Sequence, residues 1–392
     1  MSEALARRLR DEIRAGGPIT FARFMDVALT DPDHGYYTAV AARPTREGDF
    51  LTAPEMDPVF GHALARQVDE CWRLLGKPVA YTVREHGAGS GALAASIVAG
   101  LRADGSALLA PGPDGRAPLR YEPVEVNPHR RAELASRLVE SAPEVVVADP
   151  VPGAPMTGLV LANELVDALP VHRVVGRVDG LAEILVGWRD EPDARLGGRF
   201  VDVLADPTTP ALADRLAAED VTLADGQPAE VRLADEHWMD AVAGDLQRGH
   251  VLVIDYGAPA AELYSATLRP AGTLLAYRGH HVTDDVYADP GDRDLTAHVD
   301  VTSLERRAAA RGLAVVGRTT QADFLVGCGL EDLLEAVRSD PATTFDRYLV
   351  LRSSIRRLLD PRLLGGFFVL ALGRDLPPGG ELLRGLGTLR KA

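Results

Sequence analysis

The sequence predicts an α/β fold with a doubly wound, largely parallel sheet. Short apolar segments alternate with helical patterns from residue 79 to residue 162, and a continuous apolar run follows at 250–255. A glycine-rich turn joins the first apolar segment to the helix behind it. Strands buried on both faces of a sheet show such apolar runs, and crossover helices supply the alternation. We therefore expect the strands to end along one carboxyl edge, where ligands bind in such sheets.

Periodicity and turn residues place the individual elements. The predicted strands cover 79–84, 121–126, 144–148, 158–162, 181–188, 250–255, 272–277, 313–318 and 367–372. The predicted helices cover 2–15, 19–29, 58–75, 92–102, 128–140, 303–311 and much of 329–359. Thr20 is the expected N-cap of the second helix because its hydroxyl can accept a hydrogen bond from a free backbone N–H.

The alternation stops near residue 171 and returns at 250, which predicts an insertion in the sheet domain. The expected organisation is an amino-terminal helical cap or lid (1–78), the first part of the core (79–173), an inserted substrate region (174–246), the second part of the core (247–320), a helical insertion (321–364), and the final strand with the tail (365–392).

Composition limits the function classes. The chain has 392 residues and a formal net charge of -15, so its surface repels duplex nucleic acid. Cys71 and Cys328 have no metal-ligand spacing and are expected to be buried, reduced thiols. The amino terminus lacks a secretory signal, and no charge-free stretch approaches a membrane-spanning length. We expect a cytoplasmic protein that binds neither nucleic acid nor membrane, and whose partner is a small molecule or a cationic protein segment.

The glycine-rich turn reads Glu85-x-Gly87-x-Gly89-x-Gly91 between a strand and a helix. Glycines allow the backbone to turn tightly and to approach a ligand closely. The free N–H groups at the start of the next helix face the same ligand. The turn also satisfies a dinucleotide pattern ending at Ala92, so the glycines alone do not identify the ligand.

Carboxylates after the strands distinguish a dinucleotide from S-adenosylmethionine as the ligand. Glu85 suits the positive amino group of S-adenosylmethionine, whereas like charges would repel beside a pyrophosphate. Glu125 ends the second strand and can accept hydrogen bonds from both ribose hydroxyls. Asp149 follows the third strand, where it can meet the adenine edge. The alternatives are a solvated carboxylate at Glu125 and an Asp-Pro turn at Asp149.

A second polar group follows the fourth strand at residues 163–167. Asn163 can position a ligand by hydrogen bonds. Glu164 and Asp167 could bind a cationic nucleophile and remove its proton. The alternative makes Asn163 and Asp167 the cap and first turn of the next helix, with the two interpretations evenly balanced for Asp167.

The chain resembles the MidA-like methyltransferases, the family of the mitochondrial complex I assembly factor that methylates an arginine. The resemblance rests on ordered motifs between residues 17 and 330. These are Phe50-Leu51-Thr52-Ala53-Pro54-Glu55, Phe60-Gly61, Glu85-His86-Gly87-Ala88-Gly89-Ser90-Gly91, Val124-Glu125, Ala162-Asn163-Glu164, Asp167-Ala168-Leu169-Pro170, Ile254-Asp255-Tyr256-Gly257, Tyr277-Arg278-Gly279-His280, Asp294-Leu295-Thr296-Ala297-His298-Val299-Asp300, and Gln321 with Phe324-Leu325.

This resemblance implies a class I methyltransferase (Rossmann-like) sheet with an amino-terminal helical cap and an inserted substrate region. It implies S-adenosyl-L-methionine as cofactor, with S-adenosyl-L-homocysteine as product, and a protein arginine as methyl acceptor. It places Thr52 and Pro54 in a lid over the cofactor, and it allows a homodimer. Leu165 and Val166 stand where the family often has aromatic residues, so we expect the shape of the acceptor pocket to differ from that of other members of the family.

Other functions remain open from the sequence. The acceptor could be a small molecule or another side chain, or the protein could bind S-adenosylmethionine as an assembly scaffold without turnover. A nicotinamide oxidoreductase is a lesser alternative. His280, His281, His298 and Asp300 could in principle hold a metal, but their spacing matches no tight metal motif, so no metal is expected.

Overall fold

The structure is a computed structural model that describes residues 2–39, 53–112, 115–142, 145–151, 154–194, 196–278 and 281–391. Among these residues, every helix is too short or too polar to cross a bilayer. The chain forms two compact units. The core unit comprises Leu51–Leu165, Met239–Tyr256 and Arg307–Ala392, and the antiparallel unit comprises Met1–Phe50, Val166–Trp238 and Gly257–Arg306.

The elements are numbered along the whole chain. The helices are α1 (Ser2–Gly16), α2 (Phe21–Thr30), α3 (Ala53–Met56), α4 (Val59–Leu74), α5 (Ala92–Ala103), α6 (Pro128–Ser141), α7 (Ala211–Ala218), α8 (Ala234–Asp245), α9 (Ala260–Leu263), α10 (Val301–Ala310), α11 (Gln321–Gly327), α12 (Leu330–Ser339) and α13 (Phe345–Leu359). The strands are β1 (Ile19–Thr20), β2 (Tyr81–His86), β3 (Leu119–Val124), β4 (Val146–Val147), β5 (Met156–Asn163), β6 (His172–Arg177), β7 (Gly180–Asp190), β8 (Gly198–Ala205), β9 (Pro228–Val231), β10 (Leu246–Asp255), β11 (Gly257–Ala258), β12 (Leu275–Arg278), β13 (His281–Thr283), β14 (Asp294–Thr296), β15 (Val299–Asp300), β16 (Ala314–Thr320) and β17 (Phe368–Arg374).

The core unit is built on a seven-stranded sheet in the order β16-β17-β10-β5-β2-β3-β4. If the strands of this unit are counted along the chain and the sheet is followed from β4 to β16, the order is third, second, first, fourth, fifth, seventh, sixth. Six strands are parallel, and β17 runs antiparallel to both of its neighbours. The order reverses between β2 and β5, which is where doubly wound sheets bind their ligands. The predicted doubly wound α/β sheet is confirmed.

Burial explains why these segments form strands. Residues 251–254 of β10 are fully buried, as expected for an apolar run that is covered on both faces. Leu93, Ile97 and Leu101 of α5 join the same hydrophobic core as Leu64 of α4. Their spacing along α5 is that of one helical face, so the helix packs this stripe inward.

The antiparallel unit contains a five-stranded sheet in the order β1-β7-β6-β9, with β8 also paired to β7. A smaller sheet has the order β13-β12-β14, and β11 pairs with β15. The predicted cap Thr20 is confirmed, because its hydroxyl oxygen accepts a hydrogen bond from the backbone N–H of Arg23 at 3.1 Å. Phe24 packs edge-to-face on Phe200 and Tyr287, which joins α2 to the core of this unit.

Two predicted elements take a different place. The strand expected at 272–277 forms as β12, but it pairs with β13 and β14 and not with the core sheet. Most of the insertion predicted at 174–246 shares a unit with the amino terminus and with Gly257–Arg306, whereas its last residues, from Met239 on, belong to the core unit. Pairing between segments distant in sequence decides both features, and periodicity carries no information about it.

Candidate active site

The predicted ligand residues meet at the carboxyl edge of the core sheet. Strand β2 ends at His86, and its register pairs that residue with Val124 of β3 and Ala162 of β5. Glu85, Glu125, Asn163 and Glu164 therefore lie at or just beyond three adjacent strand ends. This grouping was expected from the sequence, and the register confirms it.

The glycine turn after β2 uses backbone conformations that favour glycine. Gly87, Gly89 and Gly91 have φ values of 73°, 53° and 77°. A Cβ atom on Gly91 would lie 2.7 Å from the side chain of Leu134, so packing as well as conformation requires glycine there. A Cβ atom on Gly89 would meet nothing closer than 4.0 Å, which leaves the backbone at this position open to a ligand.

Glu125 holds this turn in place. Its Oε2 accepts a hydrogen bond from the N–H of Gly89 at 2.7 Å, and its Oε1 accepts one from the N–H of Asn127 at 2.8 Å. Asn127 in turn caps α6, since its side chain accepts from the N–H of His129 at 2.9 Å. A carboxylate has lone pairs for further donors, so these bonds leave Glu125 able to accept from ribose hydroxyls.

Glu85 is buried at the end of β2, with 3% of its surface exposed. Its Oε2 accepts a hydrogen bond from the hydroxyl of Tyr121 at 2.5 Å. Burial raises the pKa of Glu85 to about 8, the Tyr121 hydrogen bond opposes the rise, and the negative charge of Glu125 adds to it. Sequence reasoning missed Tyr121, because no motif marks it and only the β2–β3 register reveals its position.

Asn163 is the last residue of β5, and Glu164 follows it. Glu164 has a φ of 49°, an unfavourable conformation for a residue with a side chain, and its N–H donates to the carbonyl of Ile254 at 2.9 Å. Its Oε1 accepts from the N–H of Ala53 and from the amide of Asn163, both at 3.2 Å. The Oδ1 atom of Asn163 is buried and has no hydrogen-bond partner among the described residues.

The remaining predicted residues occupy varied positions. Pro54 lies in α3, one residue after the amide that contacts Glu164, whereas Thr52 lies outside the described residues. The side chain of Asp149 is exposed and lies 3.9 Å from Arg131. An adenine contact for Asp149 stays a prediction.

Asp167 belongs to the antiparallel unit and Glu164 to the core unit. Asp167 is buried in a short 3-10 turn, Val166–Ala168. Its backbone carbonyl accepts hydrogen bonds from Arg232 at 2.9 Å and from the N–H of Ala297 at 3.1 Å. The helical first turn that the sequence offered as an alternative is therefore a single 3-10 turn.

The two cysteines and the histidines considered for a metal site lie in the following surroundings. Cys71 and Cys328 are buried and free, and burial raises the pKa of Cys71 to about 12, so this thiol stays protonated. Among the described residues, no group of three or more His, Cys, Asp or Glu side chains could hold a metal ion. Burial, with Arg269 and Arg232, lowers the pKa of His298 to about 4. His280 lies outside the described residues.

These features fit S-adenosyl-L-methionine. The buried Glu85 carboxyl suits a cationic amino group, and the unpartnered Oδ1 of Asn163 can accept a hydrogen bond from a bound molecule. The open backbone at Gly89 allows close approach of the ligand. The residues that would hold the cofactor therefore come from three strand ends of one unit.

Comparison with known proteins agrees with this site. The sequence profile of a family of S-adenosyl-L-methionine-dependent methyltransferases matches residues 63–319. A crystal structure of a protein from Burkholderia thailandensis, bound to S-adenosyl-homocysteine, has a TM-score of 0.82 and 31% identity, covering 98% of this chain and 95% of that one. A native structure from the same organism has a TM-score of 0.80 and 32% identity, covering 96% and 93%.

Curated relatives are similar over most of their length. "Protein arginine methyltransferase NDUFAF7, mitochondrial" from Mus musculus is 29% identical, covering 96% of this chain and 86% of the relative. The Drosophila melanogaster homolog is 28% identical, covering 93% and 83%. The mitochondrial location in these names concerns those proteins, and the cytoplasmic location expected here stays a prediction. The profile match and the structural similarity together show that this chain belongs to the family of S-adenosyl-L-methionine-dependent methyltransferases with a class I fold.

Proposed function

We propose that the methyl acceptor is the side chain of an arginine in a protein. The observation that carries the proposal is the fixed position of the Glu164 carboxylate. Its Oε1 accepts hydrogen bonds from Ala53 and Asn163, and its backbone follows β5 in a left-handed conformation. A guanidinium is cationic and planar, and a fixed carboxylate can bind two of its N–H groups at once. The names of the curated relatives support the same acceptor.

S-adenosyl-L-methionine, when bound, supplies a methyl group that its sulfonium has already activated. The glycine turn, Glu85, Glu125 and Asn163 then have the task of binding and orientation, which supplies much of the rate in such a transfer. Glu164 orients the acceptor nitrogen and takes the proton that this nitrogen loses as its bond to carbon forms. The role in binding the acceptor that the sequence suggests for Asp167 stays a prediction.

Replacement of Glu164 tests the catalytic assignment. We expect Glu164→Gln to lower kcat by about 100-fold or more, the usual contribution of a positioned acid–base group. Cofactor affinity should change by less than about threefold, because the glutamine preserves shape and hydrogen bonding to Ala53. Glu133→Gln is the matched control, since Glu133 is an exposed residue that pairs with Arg137 on α6. Unchanged turnover in Glu164→Gln would show that Glu164 is not the proton acceptor.

Identification of the labelled product tests the acceptor. The protein is incubated with methyl-labelled S-adenosyl-L-methionine and an extract from cells that lack this chain. Acid hydrolysis and mass spectrometry then locate the label, and methylated arginine is the expected result. Label on another amino acid or in the small-molecule fraction would contradict the arginine assignment. Cofactor binding without any label transfer would favour a scaffold role.

A further inference from the structure

The surroundings of Glu85 set its charge before the cofactor arrives. Its carboxyl is buried, and its strand β2 lies between β3 and β5 in the sheet. The β5 residue paired with Glu85 is the apolar Leu161. From β3, Tyr121 donates its hydroxyl hydrogen at 2.5 Å. The residue after β3 is Glu125, a second carboxylate whose negative charge disfavours ionisation of the first.

No cation of the described residues offsets this burial. Among them, Glu85 has no ion-pair partner, and Arg84 on the same strand is paired with Glu122 and Asp245. His86 does not supply a charge either, because burial lowers its pKa to about 4 and leaves it neutral near pH 7. A buried carboxylate with no partner of opposite charge is unfavourable, so the protonated form of Glu85 is the more stable one.

We propose that Glu85 carries a proton in the cofactor-free protein and releases it to solvent when the ammonium group of S-adenosyl-L-methionine binds, with Tyr121 as the positioning residue that holds the ionised carboxylate. The cofactor thus supplies the positive charge that the fold omits. The inference concerns cofactor binding alone and holds whatever the methyl acceptor is.

The proton balance gives the proposal a signature that changes sign with pH. At pH 7 the ligand carries an ammonium group, since α-amino groups titrate near 7.7–8.0. The carboxyl of Glu85, with a pKa of about 8, is then mostly protonated. Forming the ion pair therefore releases close to one proton. At pH 9 the carboxylate is already ionised and the amino group is mostly neutral, so the same ion pair forms by uptake of a proton.

Isothermal titration calorimetry measures this directly. S-adenosyl-L-methionine is titrated into the intact protein at pH 7 in phosphate and in Tris, whose ionisation enthalpies differ. We expect the difference in binding heat to correspond to release of close to one proton, and the measurement at pH 9 to show uptake. A binding heat at pH 7 that does not depend on the buffer would overturn the proposal.

Two further ligands assign the proton to the amino-acid end of the cofactor. S-adenosyl-L-homocysteine keeps the ammonium group and should release the same number of protons. 5′-Methylthioadenosine lacks the amino-acid part and should bind without proton release. Release with 5′-methylthioadenosine would place the proton elsewhere in the site and contradict the role of Glu85.

Variants separate positioning from a merely structural effect. Glu85→Gln should bind S-adenosyl-L-methionine more weakly and should show no proton release at pH 7. Tyr121→Phe removes the donor that favours the ionised carboxylate, so its affinity relative to wild type should be about tenfold lower at pH 7 and should approach that of wild type as the pH rises toward 8.5. An equal loss of affinity at every pH would show that Tyr121 has only a structural role. Tyr348→Phe on α13, remote in sequence from these residues, is the control for folding and activity.

Discussion

Two residues at the carboxyl edge of the core sheet, Glu85 and Glu164, are in conformational or charge states that are unfavourable at most positions of a fold. Glu164 has a positive φ, and the Glu85 carboxyl is buried with a raised pKa. Such states cost stability and persist when the surrounding structure enforces them. Both residues belong to the proposed ligand site, where such states can serve binding.

Gly91 allows a residue-scale test of the glycine turn. We expect Gly91→Ala to destabilise the protein by about 2–3 kcal/mol. The alanine backbone would have to adopt a left-handed conformation, and its methyl group would lie 2.7 Å from the side chain of Leu134. Cofactor affinity should fall as well, because the turn must shift. Urea unfolding and calorimetric titration measure the two effects.

Gly105→Ala is the matched control for that variant. Gly105 also has a positive φ, of 64°, but a Cβ atom there would meet nothing within 4 Å. The control should therefore lose only the conformational part, about 1 kcal/mol, and keep its cofactor affinity. Equal losses in both variants would show that packing against Leu134 is unimportant.

At the scale of elements, the site depends on how closely three parallel strands approach one another. Gly158 lies near the start of β5, and a Cβ atom there would lie 1.9 Å from the carbonyl oxygen of Thr82 on β2. The same strand places Asn163 at its other end. A shift of β5 at Gly158 would therefore be transmitted along the strand to the ligand edge.

Gly158→Ala tests this coupling between strand spacing and the site. We expect a loss of about 3 kcal/mol, the upper part of the range for overpacking, because backbone atoms must move. Cofactor binding should weaken although the substitution lies at the opposite end of the strand. Circular dichroism on unfolding and calorimetric titration provide the measurements.

Gly244→Ala on α8 is the counterpart of that variant. Gly244 is exposed in a helix, and a Cβ atom there would meet nothing within 4 Å. Alanine should stabilise the helix by about 0.5–1 kcal/mol and leave cofactor binding unchanged. Wild-type stability in Gly158→Ala would mean that β5 tolerates a wider spacing than its register indicates.

At the scale of the whole molecule, buried carboxyls control how stability depends on pH. The carboxyl of Glu219 faces that of Asp300 in the antiparallel unit. Neither Glu219 oxygen has a hydrogen-bond partner among the described residues, although Arg215 Nε lies 4.0 Å from Oε1. Burial and the facing carboxyl of Asp300 raise the pKa of Glu219 well above its ordinary value. Glu85 in the core unit has a raised pKa of about 8. Both groups therefore hold a proton in the folded, cofactor-free protein at neutral pH.

The sign of the pH dependence follows from linkage. Between about pH 4.5 and pH 8 each of these two carboxyls binds more protons in the folded protein than in the unfolded chain, so the stability that it contributes falls as the pH rises through this window. The slope is at most about 1.4 kcal/mol per pH unit for each group. Glu219→Gln should flatten the decline and unfold at higher urea concentration than wild type at pH 8. A stability difference between Glu219→Gln and wild type that does not grow from pH 7 to pH 8 would contradict the raised pKa of Glu219.

The fold and the site differ in how far the sequence alone could predict them. Helices, core strands and the glycine turn formed close to their expected bounds, because periodicity and turn residues encode local structure. Glu85, Glu125, Asn163 and Glu164 were recognisable because they lie at or next to strand ends, and parallel strands end on the same edge. The sequence by itself thus indicated the fold class, the cofactor and the strand ends where the cofactor is predicted to bind.

Tertiary structure decided the rest, since it depends on contacts between residues distant in sequence. The pairing of β12 with β13 and β14, and the separation of Glu164 and Asp167 into different units, come from such contacts. The same holds for the Tyr121 hydroxyl on Glu85, which exists because the register of two strands places residues 36 apart in contact. A sequence shows that a carboxyl is present at a strand end. Only the packing around it, by excluding water and any countercharge, decides whether that carboxyl carries a proton.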